Sequence, residues 1–347
     1  MTGLFFLSSG LYMGWSLGAN DAANIFGTAV GTRMVKFRTA VVISMIFIVI
    51  GSVVSGRGAA QGLRALGAVN ALPGAFVVSM CAAFTVMWMT RAGLPISTTQ
   101  AIVGAIIGWN LFSGYPTDFE PLTRIVGTWI FGPVLGAAIS FALFHLVRAI
   151  LKRVAIHLIR LDNYTRTALL LAGAFGAYSL GANNMANVVG VFLESSPFVD
   201  LHILGFTFTG TQQLFLIGGI AAGIGVATYS KKVMMTMGSK IFRLSPATAF
   251  VVIMSTALVL FLFASQGLKD MLDSAGLPSL PLVPVSQSQV AVGSILGIGL
   301  AKGGRNLNLR MIRTIAFGWI ATPIMAALLT WVALFIMQNV FMQQVFK

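Results

Sequence analysis

A chain of 347 residues that is 57% hydrophobic and only 9% charged, with mean hydropathy +0.91, cannot clothe itself in a water-facing surface. Soluble domains of this size carry roughly a quarter charged residues, so the solvent here is lipid. The net charge of +14 would suggest nucleic acid in a soluble protein, but no basic stripe interleaved with aromatics lies outside the apolar runs, and no nucleic-acid partner is expected.

The first apolar run, about 4–30, has no basic stretch ahead of it and outlasts a signal peptide, which predicts a retained first span. Its middle carries SLGANDAAN (16–24). Further runs of bilayer-crossing length, about 20 residues, fall at 39–56, 74–90, 124–147, 167–192, 206–228, 246–264 and 314–341. Two shorter Ser- and Gly-rich segments, 95–111 and 284–301, are open to two readings. Either they cross fully and give ten spans, or they are arms of hairpins dipping into the membrane. Interrupted segments are preferred, because a polar hairpin tip needs a cavity to line. The lone cysteine, Cys81, lies in an apolar run and reads as filler.

Charge placement orients the spans. With the N-terminus outside, the inner loops hold 17 of the 22 Lys and Arg residues, among them Arg33, Arg148, Lys152, Lys240, Arg243 and Arg305. Arg57, Arg64, Arg124, Lys269 and Lys347 remain outside. Such a bias predicts both termini on the outer side.

The sequence also repeats itself. SLGANDAAN pairs with SLGANNMAN (179–187), PISTTQAIVGAIIG (95–108) with PVSQSQVAVGSILG (284–297), and WIFGP (129–133) with WIATP (319–323). The second copy is longer between its first two motifs, the later part of the insertion being a Pro-rich outer loop around 276–284. About five membrane segments per half is an odd number, so the second half enters from the opposite side. The fold expected is an all-α integral membrane protein of two inverted-topology repeats, 1–147 and 167–347, joined by a short basic cytoplasmic linker, 148–166. Inverted repeats with broken helices or re-entrant hairpins characterise secondary transporters, whose substrates bind near the midplane.

Asp21 is the one acid inside an apolar span, and an intramembrane acid implies a function. No Lys or Arg lies near the middle of any span, so a cation or proton is its expected partner. Asn20, Asn24, Asn183, Asn184 and Asn187 offer amide oxygens to a hard cation and N–H groups to an anion. Gly18 and Gly181 permit a helix break there. In the second motif pair, Pro95 or Pro284 precedes a run of hydroxyls and amides: Ser97, Thr98, Thr99 and Gln100, or Ser286, Gln287, Ser288 and Gln289. These read as helix starts, and a helix N-terminus favours anions. Two of them converging from opposite faces would cradle a tetrahedral oxyanion.

At these residues the chain resembles the inorganic phosphate transporter (PiT) family, which carries a GANDxAN signature in each half followed by a P(V/I)STTH-like motif. The resemblance covers essentially the whole chain. It implies an inverted-repeat fold, inward transport of inorganic phosphate coupled to Na+ or H+, and homodimers. It implies that Asp21, Asn24 and Asn187 help hold a coupling Na+, and that Ser97, Thr98, Thr99, Ser286 and Ser288 help bind the anion. Three departures stand out: Asn184 in place of a second aspartate, Gln100 and Gln289 in place of histidines, and Gln287 in place of a threonine.

The function expected is a symporter for phosphate in a prokaryotic plasma membrane, with sulfate as the alternative substrate and a passive anion channel as the alternative class. Losing one buried carboxylate tilts the site toward an acceptor-only anion, although phosphate stays ahead. Beyond the coupling ion no cofactor is expected. His145, His157 and His202 sit at a span end or in loops, with no metal-ligand clustering, which argues against an enzyme.

Overall fold

The computed structural model describes residues 2–67, 69–91, 96–154, 157–203, 206–239, 244–304 and 309–347. Pro95, Lys240, Arg243 and Arg305, which entered the sequence reading, lie outside the described residues. The chain begins with α1 (Thr2–Gly31), α2 (Phe37–Ser55), α3 (Arg57–Arg64), α4 (Leu72–Arg91), α5 (Thr98–Ser113) and α6 (Phe119–Arg153). It continues with α7 (Leu158–Asn184), the single turn α8 (Ala186–Val189) and a 3-10 turn (Gly190–Phe192). A small antiparallel hairpin follows, β1 (Leu201–Ile203) and β2 (Phe206–Phe208), with His202 opposite Thr207. Then come α9 (Gly210–Tyr229), α10 (Lys231–Ser239), α11 (Pro246–Leu262), α12 (Gln266–Ser274), α13 (Gln287–Ala301) and α14 (Leu309–Asn339).

The molecule is a helical membrane protein. Among the described residues, α2, α4, α6, α9 and α14 are long and apolar enough to cross a bilayer, and a sixth span results if α11 and α12, bent by 66°, count as one. At 30 and 27 residues α1 and α7 also have the length, but their polar motifs keep them out of that apolar set. α5 and α13 have 16 and 15 residues, so at 1.5 Å per residue they reach roughly 24 and 22 Å, short of a hydrocarbon core of about 30 Å. Neither segment left open by the sequence is therefore a full crossing on its own. Rows of exposed apolar side chains, such as Ile130, Phe131 and Val134 on α6 and Phe317, Ile320 and Ile324 on α14, mark the lipid-facing surface.

Two expectations need correction. The first GAND copy does not break its helix: α1 runs unbroken through Gly18, and only the second copy is interrupted, between Asn184 and Ala186. The chain is not wholly α, since the β1–β2 hairpin occupies part of the longer second half. The segment 148–166, expected as a short basic linker, holds the end of α6 and the start of α7.

The glycines of the motif serve close approach instead of a break. A Cβ at Gly18 would lie 1.8 Å from the Ala222 carbonyl oxygen of α9, and one at Gly181 would lie 2.2 Å from the Ile48 carbonyl of α2. The pairing of the long helices follows the same correspondence. α2 packs on α7 as α9 packs on α1; α13 packs on α6 as α5 packs on α14; α11 lies on α7 as α4 lies on α1. Gly104 of α5 meets the Pro323 carbonyl of α14 at 2.2 Å, and Gly293 of α13 meets the Pro133 carbonyl of α6 at 2.1 Å. Backbones that approach this closely leave no room for a side chain, which is how small residues bring membrane helices together. Phe26, Ile48, Trp109, Phe192 and Phe215 fill the interior around these contacts.

Candidate functional site

Both repeated motifs meet in the interior. α5 begins with Ser97 in an extended conformation, its hydroxyl accepting from the Gln100 amide at 3.1 Å. α13 begins the same way, with Ser286 accepting from the Gln289 amide at 3.3 Å. Each serine thus caps a half-helix. Because the first four amides of a helix lack intrahelical partners, those of Thr98, Thr99, Gln287 and Ser288 are left without one. All eight residues Ser97–Gln100 and Ser286–Gln289 are buried.

Asp21 and Asn187 converge on the first of these starts, and Asn24 follows Asp21 by three residues on α1. The Thr98 hydroxyl donates a short hydrogen bond to Asp21 Oδ2. Asn187 Nδ2 donates to Thr99 Oγ1 at 3.0 Å and to Thr98 Oγ1 at 3.4 Å, and Thr99 Oγ1 donates to the Val285 carbonyl at 3.4 Å. The relay Asn187 to Thr98 to Asp21 fixes the carboxylate and turns the Asn187 amide oxygen away from the threonines. Thr98 and Thr99, read as anion ligands, therefore touch the residues read as cation ligands.

Asn183, Asn184 and Asn20 are used differently. Asn183 Nδ2 donates to the Val283 carbonyl at 3.1 Å while its Oδ1 accepts from the Val285 amide at 2.7 Å. Asn184 Nδ2 donates to the Val285 carbonyl at 3.1 Å. Together they strap down the extended segment that leads into Ser286. Asn20 Nδ2 donates to Thr90 Oγ1 of α4 at 2.8 Å. Thr90 and the backbone of Val283 and Val285 are site components that the sequence reading missed. A carbonyl leaves no residue-type signal, and Thr90 stands outside both motifs.

Several buried polar atoms have no hydrogen-bond partner among the described residues: Asp21 Oδ1, both polar atoms of Asn24, Asn184 Oδ1, Asn187 Oδ1, and the Oε1 atoms of Gln100, Gln287 and Gln289. Leaving a buried polar atom unpaired costs about 1–3 kcal/mol, more for a charged one. A cluster dominated by acceptor oxygens around one carboxylate suits a hard cation or a proton-bearing ligand. The ion pairs among the described residues, Arg64–Glu194 at 2.9 Å, Arg124–Glu120 at 2.5 Å and Lys269–Asp273, are all peripheral, and none includes Asp21. Among the described residues no group of three or more His, Cys, Asp or Glu gathers. His202 bonds Thr207 within the hairpin, and His145 lies against Phe141 on α6.

A helical membrane protein with paired half-helix starts around a buried polar core is a solute transporter in class. Residues 17–330 match the profile described as the Phosphate transporter family, and the chain belongs to that family. It is therefore a permease and not an enzyme. It is similar to a protein of Methanocaldococcus jannaschii, 27% identical with 92% of each chain covered, and to one of Thermococcus kodakarensis, 24% identical over 92% of this chain and 94% of that one. Both carry the name "Putative phosphate permease". A solved structure described as "The sodium-dependent phosphate transporter" superposes with a TM-score of 0.76 at 25% identity, covering 97% of this chain and 100% of the other.

Proposed function

We propose that the chain is a symporter carrying inorganic phosphate inward across a prokaryotic plasma membrane, driven by Na+ or H+, through two inverted repeats with both termini outside. The observation that carries this reading is the convergence of Asp21, Asn187, Thr98 and Thr99, with unpaired acceptor oxygens, beside two capped helix starts. Asp21, Asn24 and Asn187 take the coupling cation. The first-turn amides and side chains at 98–100 and 287–289 take the anion, with Ser97 and Ser286 holding those turns in shape. Asn20, Asn183 and Asn184 brace the site, Asn184 keeping its Oδ1 for the ligands.

Coupling follows from electrostatics. An anion held about 4 Å from an ionised carboxylate is repelled by about 4 kcal/mol at an effective dielectric near 20. A cation at Asp21 removes that repulsion, so the anion enters well only after or with the cation. Phosphate is favoured over sulfate because it carries protons that need acceptors, and the unpaired oxygens of Asn184, Gln100, Gln287 and Gln289 supply them. Family membership and the sodium-dependent structural relative support the same reading. The dimer is carried over from the family resemblance.

Uptake into proteoliposomes tests this. Labelled phosphate should accumulate only with an inward Na+ or proton gradient, and excess sulfate should compete weakly. Accumulation of sulfate with weak competition by phosphate would reassign the substrate. Flux indifferent to every cation gradient would make the protein a passive anion channel.

A further inference from the structure

We propose that the chain holds an anionic phospholipid in a groove between α6, α11 and the end of α13, with its headgroup on Arg148, Lys152 and Lys302. The groove encloses about 310 Å³. One wall is apolar, formed by Phe144, Val147, Leu151 and Val251, and the three cations line the same space without any acid among the lining residues. Arg148 and Lys152 are four residues apart on α6, so they stand on one face of the helix, one turn above the other. Lys302 reaches across from α13 with its ammonium 5.9 Å from the Phe144 ring centre. Apolar chain contact on one side and a cationic rim on the other is the pattern of an amphiphile with a negative head. Basic pockets between membrane helices on the cytoplasmic side bind such headgroups.

The fold supplies its own comparison. In the other half, Phe76 of α4, Met337 of α14 and Phe341 just past its end, together with Phe5 and Phe6 of α1, line a groove of about 720 Å³ with no charged residue among its lining. A hollow thus lies against the end of α14 and against the end of α6, and cations line only the one at α6. The outer groove can take acyl chains of any lipid, whereas the inner one selects by charge. This proposal does not depend on which ion or anion is transported.

The test counts bound lipid on the full chain. Protein reconstituted in nanodiscs of phosphatidylcholine with phosphatidylglycerol, then released for native mass spectrometry, should retain phosphatidylglycerol. Replacing the three cations together (R148Q, K152Q, K302Q) should weaken that retention about a hundredfold, since each basic group near the surface contributes comparably to anionic-lipid binding. A variant losing the same charge away from the groove (R38Q, R160Q, R166Q) should retain the lipid. If the triple variant does not purify, K152E alone should show the loss. Equal retention by the groove variant, equal loss in the distant variant, retention of phosphatidylcholine in place of phosphatidylglycerol, or displacement of the lipid by inorganic phosphate would each overturn the proposal.

Discussion

Asp21 sits in the interior with Oδ2 bound to Thr98 and Oδ1 unpaired, and its counterpart in the second motif is neutral Asn184. One buried charge in the site gives one place where a cation is bound by full electrostatic attraction. Asp21→Asn should keep the Thr98 contact geometrically possible while removing the charge. Since hydrogen bonds and contacts to a charged group contribute about 1.5–3 kcal/mol, cation-driven phosphate accumulation should fall by roughly ten- to a hundredfold in initial-rate assays. Full concentrative uptake by D21N would remove Asp21 from the coupling role. The burial of these polar residues was legible in the sequence, because an acid and five asparagines in apolar runs have few structural excuses. What was not legible is the division of labour among the asparagines. Asn183 and Asn187 look alike in sequence, yet Asn183 spends both ends on the backbone around Val285 while Asn187 turns an oxygen free.

The half-helices α5 and α13 show how little the polar motif alone decides. Pro, Ser and Thr announced two helix starts, but only the helix lengths and the burial of Ser97 and Ser286 place those starts inside the protein and away from its rim. The expected break at Gly18 failed for a related reason. Glycine permits a bend and it permits contact, and the position of α9 determines which is used. The same logic gives a paired prediction. Gly104→Ala would put a methyl group 2.2 Å from the Pro323 carbonyl, and overpacking of this kind costs about 1–3 kcal/mol or more. Its melting temperature in detergent should drop and its gel-filtration peak broaden. Gly267→Ala on α12 meets nothing within 4 Å and should raise stability by about 0.5–1 kcal/mol, the usual gain for alanine over glycine in a helix. Equal melting temperatures for the two variants would contradict the packing described.

For the molecule as a whole, the asymmetry of Lys and Arg was the strongest orientation signal, and it needs no tertiary information. Cys81 is buried and is the lone cysteine, so C81S provides a background for mapping sides. In intact cells a membrane-impermeant maleimide should label S274C, on α12, and should label N163C, on α7, only after the membrane is opened. The reverse pattern would invert the topology and with it the assignment of the lipid groove to the cytoplasmic leaflet. The pairing of helices was invisible beforehand, since hydropathy reports that a helix is buried in lipid and protein but not against which neighbour.

That pairing bears on how the protein is made. Each of the tightest pairs, α1 with α9, α2 with α7, α5 with α14 and α6 with α13, joins an early helix to a late one. While the ribosome is still translating the second half, Gly18 and Gly104 have no carbonyls of α9 and α14 to rest against, and Thr98 and Thr99 lack Asn187. The nascent first half must therefore wait in the bilayer with bare notches. Assembly becomes favourable only as the late helices arrive, so the interior closes last, around the site.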